Sequence, residues 1–160
     1  MNEGILDLHG SFYHTVDAKG RVSLPAKFRT RIGQRVVVTL AFEPCVWILP
    51  ESSWETWLKK VRSMSPLNPE VRNLTRHMVG NAQECEIDRL GRINLSAPIR
   101  AYAGIEKDVV IIGVIDAVEI WDKARFESRQ QSDLESLSRA GFMKSSDGSD
   151  SEGAVKPLGS

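Results

Sequence analysis

The stretch Val16-Asp-Ala-Lys-Gly-Arg-Val-Ser-Leu-Pro-Ala-Lys-Phe-Arg29 decides the fold, because it is repeated 71 residues later as Ile87-Asp-Arg-Leu-Gly-Arg-Ile-Asn-Leu-Ser-Ala-Pro-Ile-Arg100. Six of the fourteen positions are identical. With a one-residue shift, the similarity continues from residues 37–42 to 109–114 and from residues 46–55 to 118–127. Two matching blocks in the same order indicate a tandem duplication.

Each copy begins with a pattern that is typical of two short strands. Apolar and polar residues alternate over residues 12–16 and again over residues 22–24, which indicates half-buried strands. The segment between them predicts a tight hairpin at residues 17–21. There Gly20 allows a positive φ, and Asp17 can accept backbone hydrogen bonds within the turn.

The rest of each copy predicts a short helix and a second hairpin. Pro25 suits the first turn of a helix over residues 25–32, which Gly33 ends, and Gly104 ends the corresponding helix of the second copy. The second hairpins are predicted at residues 36–42 with 46–49, and at residues 109–115 with 118–121. We therefore expect a mixed α+β protein built from two tandem β-β-α-β-β units.

Each unit is followed by a predicted helix. Ser52 and Glu55 have the spacing of a capping box, Asn68 begins a second helix that ends at Gly80, and Asp122 begins the last one. Four segments result, namely a first unit with its helix (10–65), a connecting helix (66–81), a second unit with its helix (82–140) and a tail (141–160). The tail is rich in Ser, Asp and Gly and is expected to be disordered.

Composition excludes several classes of protein. Among the 160 residues 41% are hydrophobic, and the longest apolar stretches, residues 36–42 and 109–115, are far shorter than a membrane span requires. Neither a membrane segment nor a signal peptide is expected. Cys45 and Cys85 form no CxxC pair, which argues against a disulfide framework or a zinc site. We expect a cytoplasmic protein.

The inventory of reactive side chains does not favour an enzyme. His9, His14 and His77 are scattered along the sequence, Cys45 has no neighbouring His, and no phosphate loop, GxSxG or HExxH motif is present. A hydrolase or transferase would require His14, His77 and Cys45 to converge in the fold. We predict no catalytic site, no metal, no cofactor and no small-molecule substrate.

The charges are unevenly distributed, although 21 Lys and Arg balance 21 Asp and Glu. Residues 1–83 contain 11 basic and 7 acidic side chains, whereas residues 84–129 contain 7 and 9. A basic cluster lies between residues 17 and 35; its members are Lys19, Arg21, Lys27, Arg29, Arg31 and Arg35. Clustered cations around a hairpin favour contact with nucleic-acid phosphates, although a charge run is also typical of a solvated face.

The repeated Asp-x-x-Gly-Arg element has two interpretations. In the structural one Asp17 or Asp88 caps its turn, Gly20 or Gly91 bends it, and the arginine pairs with the aspartate. In the functional one Arg21 reaches guanine edges from a two-stranded ribbon in the major groove. We assign the functional interpretation to the first copy. For the second copy, whose Arg92 lies among several acidic residues, we prefer the structural one.

These paired elements, together with an intervening helical pair and Glu119-Ile-Trp-Asp122, resemble the bacterial MraZ family of transcriptional regulators. The resemblance covers about residues 10–140 and implies tandem AbrB-like units that interlock as a double-ψ or swapped-hairpin β-barrel. Carried over by position, the family's Asp-x-x-x-Arg residues are Asp17 with Arg21 and Asp88 with Arg92. The resemblance further implies a nucleoid-associated regulator that binds short repeated sites upstream of the division and cell-wall gene cluster, its own gene included, and that assembles as a ring-shaped homo-oligomer.

The residues and the resemblance together predict how DNA is bound. Arg21 would contact base edges, and Lys19, Lys27, Arg29 and Arg31 would contact phosphates of double-stranded promoter DNA. Several subunits on repeated sites would then strengthen the binding. The alternative is a ring-forming assembly module that binds a protein partner and no DNA.

Overall fold

The computed structural model describes residues 6–143, which form a mixed α+β fold. The first half contains β1 (Leu8–Thr15), β2 (Arg21–Ser23), α1 (Ala26–Ile32), β3 (Arg35–Leu40), β4 (Val46–Pro50) and α2 (Glu51–Ser63). The connecting segment contains α3 (Pro69–Leu74), which continues as a π-helical turn, Thr75–Val79. The second half contains β5 (Gln83–Glu86), β6 (Arg92–Asn94), α4 (Ala97–Ala103), β7 (Asp108–Ile115), β8 (Val118–Asp122) and α5 (Lys123–Arg139).

The strands of the two copies are interleaved. The larger sheet has the order β1-β7-β8-β4-β3-β5, and its neighbouring strands are antiparallel. β1 of the first copy therefore pairs with β7 of the second, and β5 of the second copy pairs with β3 of the first. β4 and β8 join the two halves at the centre of the sheet. This exchange confirms the expected swapped-hairpin architecture.

The first predicted hairpin of each copy is only partly correct. The turn at residues 17–21 is present, since Asp17 N–H donates to the carbonyl of Arg21 over 2.9 Å. However, β1 and β2 do not pair as strands, and Val16, the residue after β1, forms an isolated bridge with Val22. β1 pairs with β7, while β2 pairs with β6 in a separate two-stranded ribbon. The turn therefore depends on residues that are close in sequence, whereas β1 and β2 on either side of it pair with strands of the second copy.

Three helix ends follow the signals predicted from the sequence. Gly33 has φ +79° after α1, Gly104 is left-handed after α4, and the Asn68 side chain accepts a hydrogen bond from Glu70 N–H at 2.9 Å. The predicted capping box at Ser52 is wrong. Pro50, the last residue of β4, directly precedes α2, and no side chain caps the helix. Strand passes into helix without a linker, so Ser52 lies inside the first turn.

The core lies between the sheet, the ribbon and the short helices α1 and α4. Phe28 of α1 is fully buried and meets Phe12 of β1 edge to face, with ring centroids 5.4 Å apart. Ile99 of α4 occupies the equivalent position of the second copy and is also buried. Val22 and Ile93 project from the ribbon into the same cluster. Both copies thus contribute to one hydrophobic core.

The described residues divide into two compact units, one that ends at Lys123 and one that begins at Ala124. The described part of the first unit contains the interleaved sheet and ribbon. In the second unit, α5 continues to Arg139 and has no buried residue. The predicted tail begins at residue 141, and from residue 144 onward it lies outside the described residues. No helix in residues 6–143 is long and apolar enough to cross a membrane.

Candidate nucleic-acid interface

The two-stranded ribbon places both repeated arginines on one face. β2 and β6 pair antiparallel, with Arg21 opposite Asn94 and Ser23 opposite Arg92. The central pair, Val22 and Ile93, is buried on the inner face. Because side chains alternate along a strand, the other four residues point outward together. Arg21 and Arg92 are diagonal neighbours on this outer face, about 7–8 Å apart at the backbone.

A network of short contacts orders the first turn. The Asp17 carboxylate accepts backbone N–H bonds from Lys19 and Arg21 at Oδ1, both 2.9 Å. Its Oδ2 accepts a 2.8 Å bond from Arg21 Nε. The Gly20 N–H donates to the Asp17 carbonyl at 3.0 Å, and Gly20 has φ +82°. Because Asp17 engages the guanidinium at Nε, the two terminal NH₂ groups remain suited to another acceptor.

The second turn has the same geometry. Asp88 Oδ1 accepts from Leu90 N–H and Arg92 N–H, both at 2.9 Å, and its Oδ2 accepts from Arg92 Nε at 2.9 Å. The side chains of Arg21 and Arg92 are 31% and 26% exposed, so both reach solvent. The structural interpretation of Asp17, Gly20, Asp88, Gly91 and Arg92 therefore describes both turns. The hydrogen bonds within the two turns are the same, so they do not distinguish the two copies; the charges around the turns do differ.

Both aspartates are held in their charged form. The backbone N–H of Arg21 is the largest influence lowering the pKa of Asp17 below its usual value of 3.8, and the Arg21 guanidinium adds to it. The pKa of Asp88 is lowered in the same way by Arg92. A carboxylate whose folded pKa is depressed stabilises the fold above its unfolded pKa, and this contribution is lost as the pH falls through the folded value.

We therefore expect Asp17→Asn to reduce stability at neutral pH and to have little effect in strong acid. The asparagine oxygen can still accept the two backbone bonds, but its NH₂ group cannot accept the bond from Arg21 Nε, so the substitution removes the charge and that side-chain bond. Urea unfolding at about pH 7 and about pH 2 measures the difference. Asp116→Asn, at the exposed turn between β7 and β8, is the control. An equal loss of stability at both pH values would contradict the role given to the ionised carboxylate.

Each turn is also held by the opposite copy. The Gly20 carbonyl accepts from Leu95 N–H at 2.8 Å, and the Gly91 carbonyl accepts from Leu24 N–H at 2.9 Å. The Cζ of Arg29 lies 2.6 Å from the position that a Cβ on Gly91 would take. Arg29 of α1 is thus packed against the second turn.

Arg100 makes the reciprocal contact. Its Nε lies 3.1 Å from the position of a Cβ on Gly20, in the first turn, and donates to the carbonyl of Leu95 at 3.0 Å. The Nε of Arg29 likewise donates to the carbonyl of Leu24 at 3.0 Å. Arg100 has no role predicted from the sequence, although its identity with Arg29 in the repeat is a usable signal.

The predicted phosphate-binding residues are not all in one place. Lys19 is exposed at the first turn, and Lys27 and Arg31 are exposed on α1. The Nζ of Lys27 lies 3.6 Å from the position of a Cβ on Gly10 of β1. Because Gly10 precedes Val16 by six residues, this point is up to about 20 Å from the turn along an extended strand. The basic residues therefore spread from the turn along β1.

His77 packs against Tyr102, whereas His14 lies on β1 opposite Val109 of β7. His77 Nε2 lies 2.8 Å from the carbonyl oxygen of Ala41, and the Tyr102 hydroxyl donates to the same oxygen at 3.1 Å. Burial raises the pKa of Tyr102. The Cys45 side chain is fully buried beside this cluster. Residues 6–143 contain no group of His, Cys, Asp and Glu side chains suited to hold a metal ion.

Interleaved β-β-α-β-β units, whose Asp-Arg turns flank a shared ribbon, define a tandem swapped-hairpin protein. The family model described as "MraZ protein, putative antitoxin-like" matches residues 8–77 and 78–144. The chain therefore belongs to the MraZ family.

Relatives that carry the name "Transcriptional regulator MraZ" match most of the chain. The protein of Lachnoclostridium phytofermentans is 36% identical over 128 residues, which cover 80% of this chain and 90% of the relative. The protein of Natranaerobius thermophilus is 40% identical over 122 residues, covering 76% and 85%. That of a Thermoanaerobacter species is 42% identical over 120 residues, covering 75% and 84%.

Proposed function

We propose that this protein is a sequence-specific transcriptional regulator that binds double-stranded DNA through the outer face of its ribbon, and not an enzyme. The observation that carries the proposal is the placement of Arg21 and Arg92 on one exposed face, each oriented by its own aspartate. The relatives named as transcriptional regulators support the same conclusion.

A two-stranded ribbon fits the major groove, and arginine is the commonest specific partner of guanine O6 and N7. The spacing of about 7–8 Å between diagonal neighbours is close to two base steps of about 3.4 Å each. Arg21 and Arg92 can therefore contact bases about two steps apart without a change in the conformation of the ribbon. Asp17 fixes the direction of the Arg21 side chain, so less conformational entropy is lost when the base is bound.

The first copy supplies most of the phosphate contacts. Lys19 stands at the first turn where the second turn has Leu90, and α1 presents Lys27 and Arg31 to solvent. Beside the second turn, β5 has exposed Glu84 and Glu86. DNA phosphates favour the basic side of the ribbon and disfavour the acidic one. Arg29 donates through Nε to the carbonyl of Leu24, so a phosphate contact of Arg29 would use its terminal NH₂ groups.

We further propose that several subunits, assembled as a ring, bind short repeated sites upstream of the division and cell-wall gene cluster and of the protein's own gene. A single ribbon has few phosphate contacts and binds weakly. Linking several ribbons raises the effective concentration and strengthens the binding by roughly 10²–10⁴-fold. In the cell this activity would place the protein at the nucleoid.

The decisive test is a gel shift of the purified protein on its own upstream region with a scrambled duplex as competitor. Retention that the scrambled duplex does not compete away supports the proposal. Absence of retention favours the alternative, an assembly module without DNA binding. A surface cluster supports that alternative, since Phe42 is 53% exposed and its ring centroid lies 5.2 Å from that of Trp47.

Lys19→Ala is expected to reduce the salt dependence of binding. Each phosphate neutralised releases counterions, so the slope of log affinity against log salt becomes shallower by roughly 1 when one such contact is lost. Specificity against a scrambled site is expected to stay unchanged, because a phosphate contact carries no sequence information. Leu90→Ala at the second turn is the matched control. An unchanged slope would show that Lys19 contacts no phosphate.

Arg92→Ala is expected to weaken promoter binding less than Arg21→Ala. The two turns have the same shape, but only the first has a lysine at its tip and basic residues on the helix that follows. Fluorescence anisotropy with a labelled promoter duplex compares the two variants at one salt concentration. Equal losses would mean that both copies contact the bases to the same extent.

A further inference from the structure

We infer that Arg100 and Arg29 are positioning residues that hold the DNA-contacting turn of the opposite copy. This inference rests on the proposed function for its effect on DNA. Arg100 belongs to the second copy and supports the turn that carries Arg21. Arg29 belongs to the first copy and supports the turn that carries Arg92.

Each of the two arginines packs against a glycine in the turn of the opposite copy. A Cβ on Gly20 would lie 2.9 Å from the carbonyl oxygen of Leu95 and 3.1 Å from Nε of Arg100. A Cβ on Gly91 would lie 2.6 Å from Nη1 of Arg29. Real Cβ atoms essentially never come within 3.0 Å of another heavy atom, and 3.1 Å is tighter than most of their contacts, so each guanidinium packs closely on a glycine. Both glycines are buried although they belong to surface turns.

Hydrogen bonds also connect each arginine with the turn of the opposite copy. Arg100 Nε donates to the carbonyl of Leu95, and Leu95 N–H donates to the carbonyl of Gly20. The chain of contacts thus runs from Arg100 through Leu95 to the first turn. The equivalent chain runs from Arg29 through Leu24 to Gly91 of the second turn. Each arginine therefore contacts its turn directly and through one residue of its own copy.

The planar shape of the guanidinium group distinguishes arginine from lysine at these positions. A planar guanidinium can lie flat against a glycine while Nε donates to a carbonyl in its own plane. A lysine keeps the positive charge but has no plane, so it cannot make both contacts at once. Substitution by lysine therefore separates positioning from charge. A residue that only contacts phosphate tolerates lysine, whereas a positioning arginine does not.

Hydrogen exchange of the turn amides tests the inference without DNA. In Arg100→Lys the amides of Lys19 and Arg21, which donate to Asp17, are expected to exchange faster, while those of Leu90 and Arg92 stay as in the unaltered protein. In Arg29→Lys the pattern is expected to reverse, so each variant is the control of the other. Faster exchange in the same copy, or in both turns equally, would overturn the inference.

DNA binding supplies a readout that a purely structural role would not move. Arg100→Lys is expected to weaken promoter binding roughly tenfold, and Arg29→Lys clearly less, although Arg29 lies in the basic copy. In the Arg92→Ala background, which is expected to keep promoter binding, Arg29→Lys is expected to add little, because the side chain that it positions is gone. A larger loss in Arg29→Lys than in Arg100→Lys would overturn the inference and would favour a phosphate contact for Arg29.

The two proposals can fail separately. If the unaltered protein does not retain promoter DNA but the exchange pattern is crossed, the proposed function is wrong and the positioning contacts stand. If a lysine variant lacks a cooperative urea transition, exchange is followed in the unaltered protein at urea concentrations below its midpoint. The amides of the first turn are then expected to open together with α4, and opening with α1 would overturn the inference.

Discussion

Arg21→Ala is expected to abolish specific promoter retention while leaving the fold and the oligomer size unchanged. A good bidentate contact of arginine with guanine contributes about 1–3 kcal/mol of discrimination at each site. In an assembly that binds several repeated sites, the loss is repeated at every bound ribbon, so the expected fall in affinity exceeds 100-fold. The fold should persist because Arg21 is partly exposed and Asp17 keeps its two backbone donors.

The measurement is a gel shift with the upstream duplex, accompanied by circular dichroism and size-exclusion chromatography. Arg62→Ala is the matched control, because it removes one exposed positive charge from α2 and touches neither turn. Retention by Arg21→Ala equal to that of Arg62→Ala would exclude base contact by Arg21. An unfolded or smaller Arg21→Ala product would mean that the role of the Asp17–Arg21 pair is structural.

Phe28→Ala is expected to be the most destabilising single substitution considered for this protein. The Phe28 side chain is fully buried in α1, and its ring packs edge to face on Phe12 of β1. Removing a buried phenylalanine ring costs about 3–5 kcal/mol, through lost burial and the cavity that remains. Because α1 follows the ribbon directly, loss of this anchor also loosens the first turn.

Urea denaturation of the full chain, followed by tryptophan fluorescence, measures the change in unfolding free energy. Leu67→Ala is the control, since Leu67 is 86% exposed, and surface substitutions usually change stability by less than about 0.5 kcal/mol. A change of less than about 1 kcal/mol in Phe28→Ala would contradict the packing of α1 in the shared core.

The parts of the candidate site that depend on residues close in sequence could be predicted from the sequence. The Asp17 and Asp88 turns, the positive φ of Gly20 and the end of α1 at Gly33 all depend on residues a few positions apart. The repeat made the second turn predictable from the first. The capping box at Ser52 failed because β4 continues to Pro50, where its pairing with Val36 leaves no room for a cap before the helix.

Other features depend on contacts between distant parts of the chain. An alternating pattern predicts a strand but does not name its partner, so the pairing of β1 with β7 could only be expected from the family resemblance. The contacts of Arg29 with Gly91 and of Arg100 with Gly20 join residues more than 60 positions apart. The predicted phosphate contact of Arg29 remains a prediction, and its packing against the second turn favours positioning.

The zero net charge also conceals a difference between the two halves of the chain, and the sequence reveals that difference but not its position in the fold. The duplication, the two Asp-x-x-Gly-Arg turns and the excess of basic residues in the first half can be read from residue identity and near neighbours. The placement of both arginines on one ribbon face, and the support of each turn by the opposite copy, depend on the folded chain. The physical reason is that the two copies exchange strands to complete one core, and such exchange is selected by packing over the whole fold.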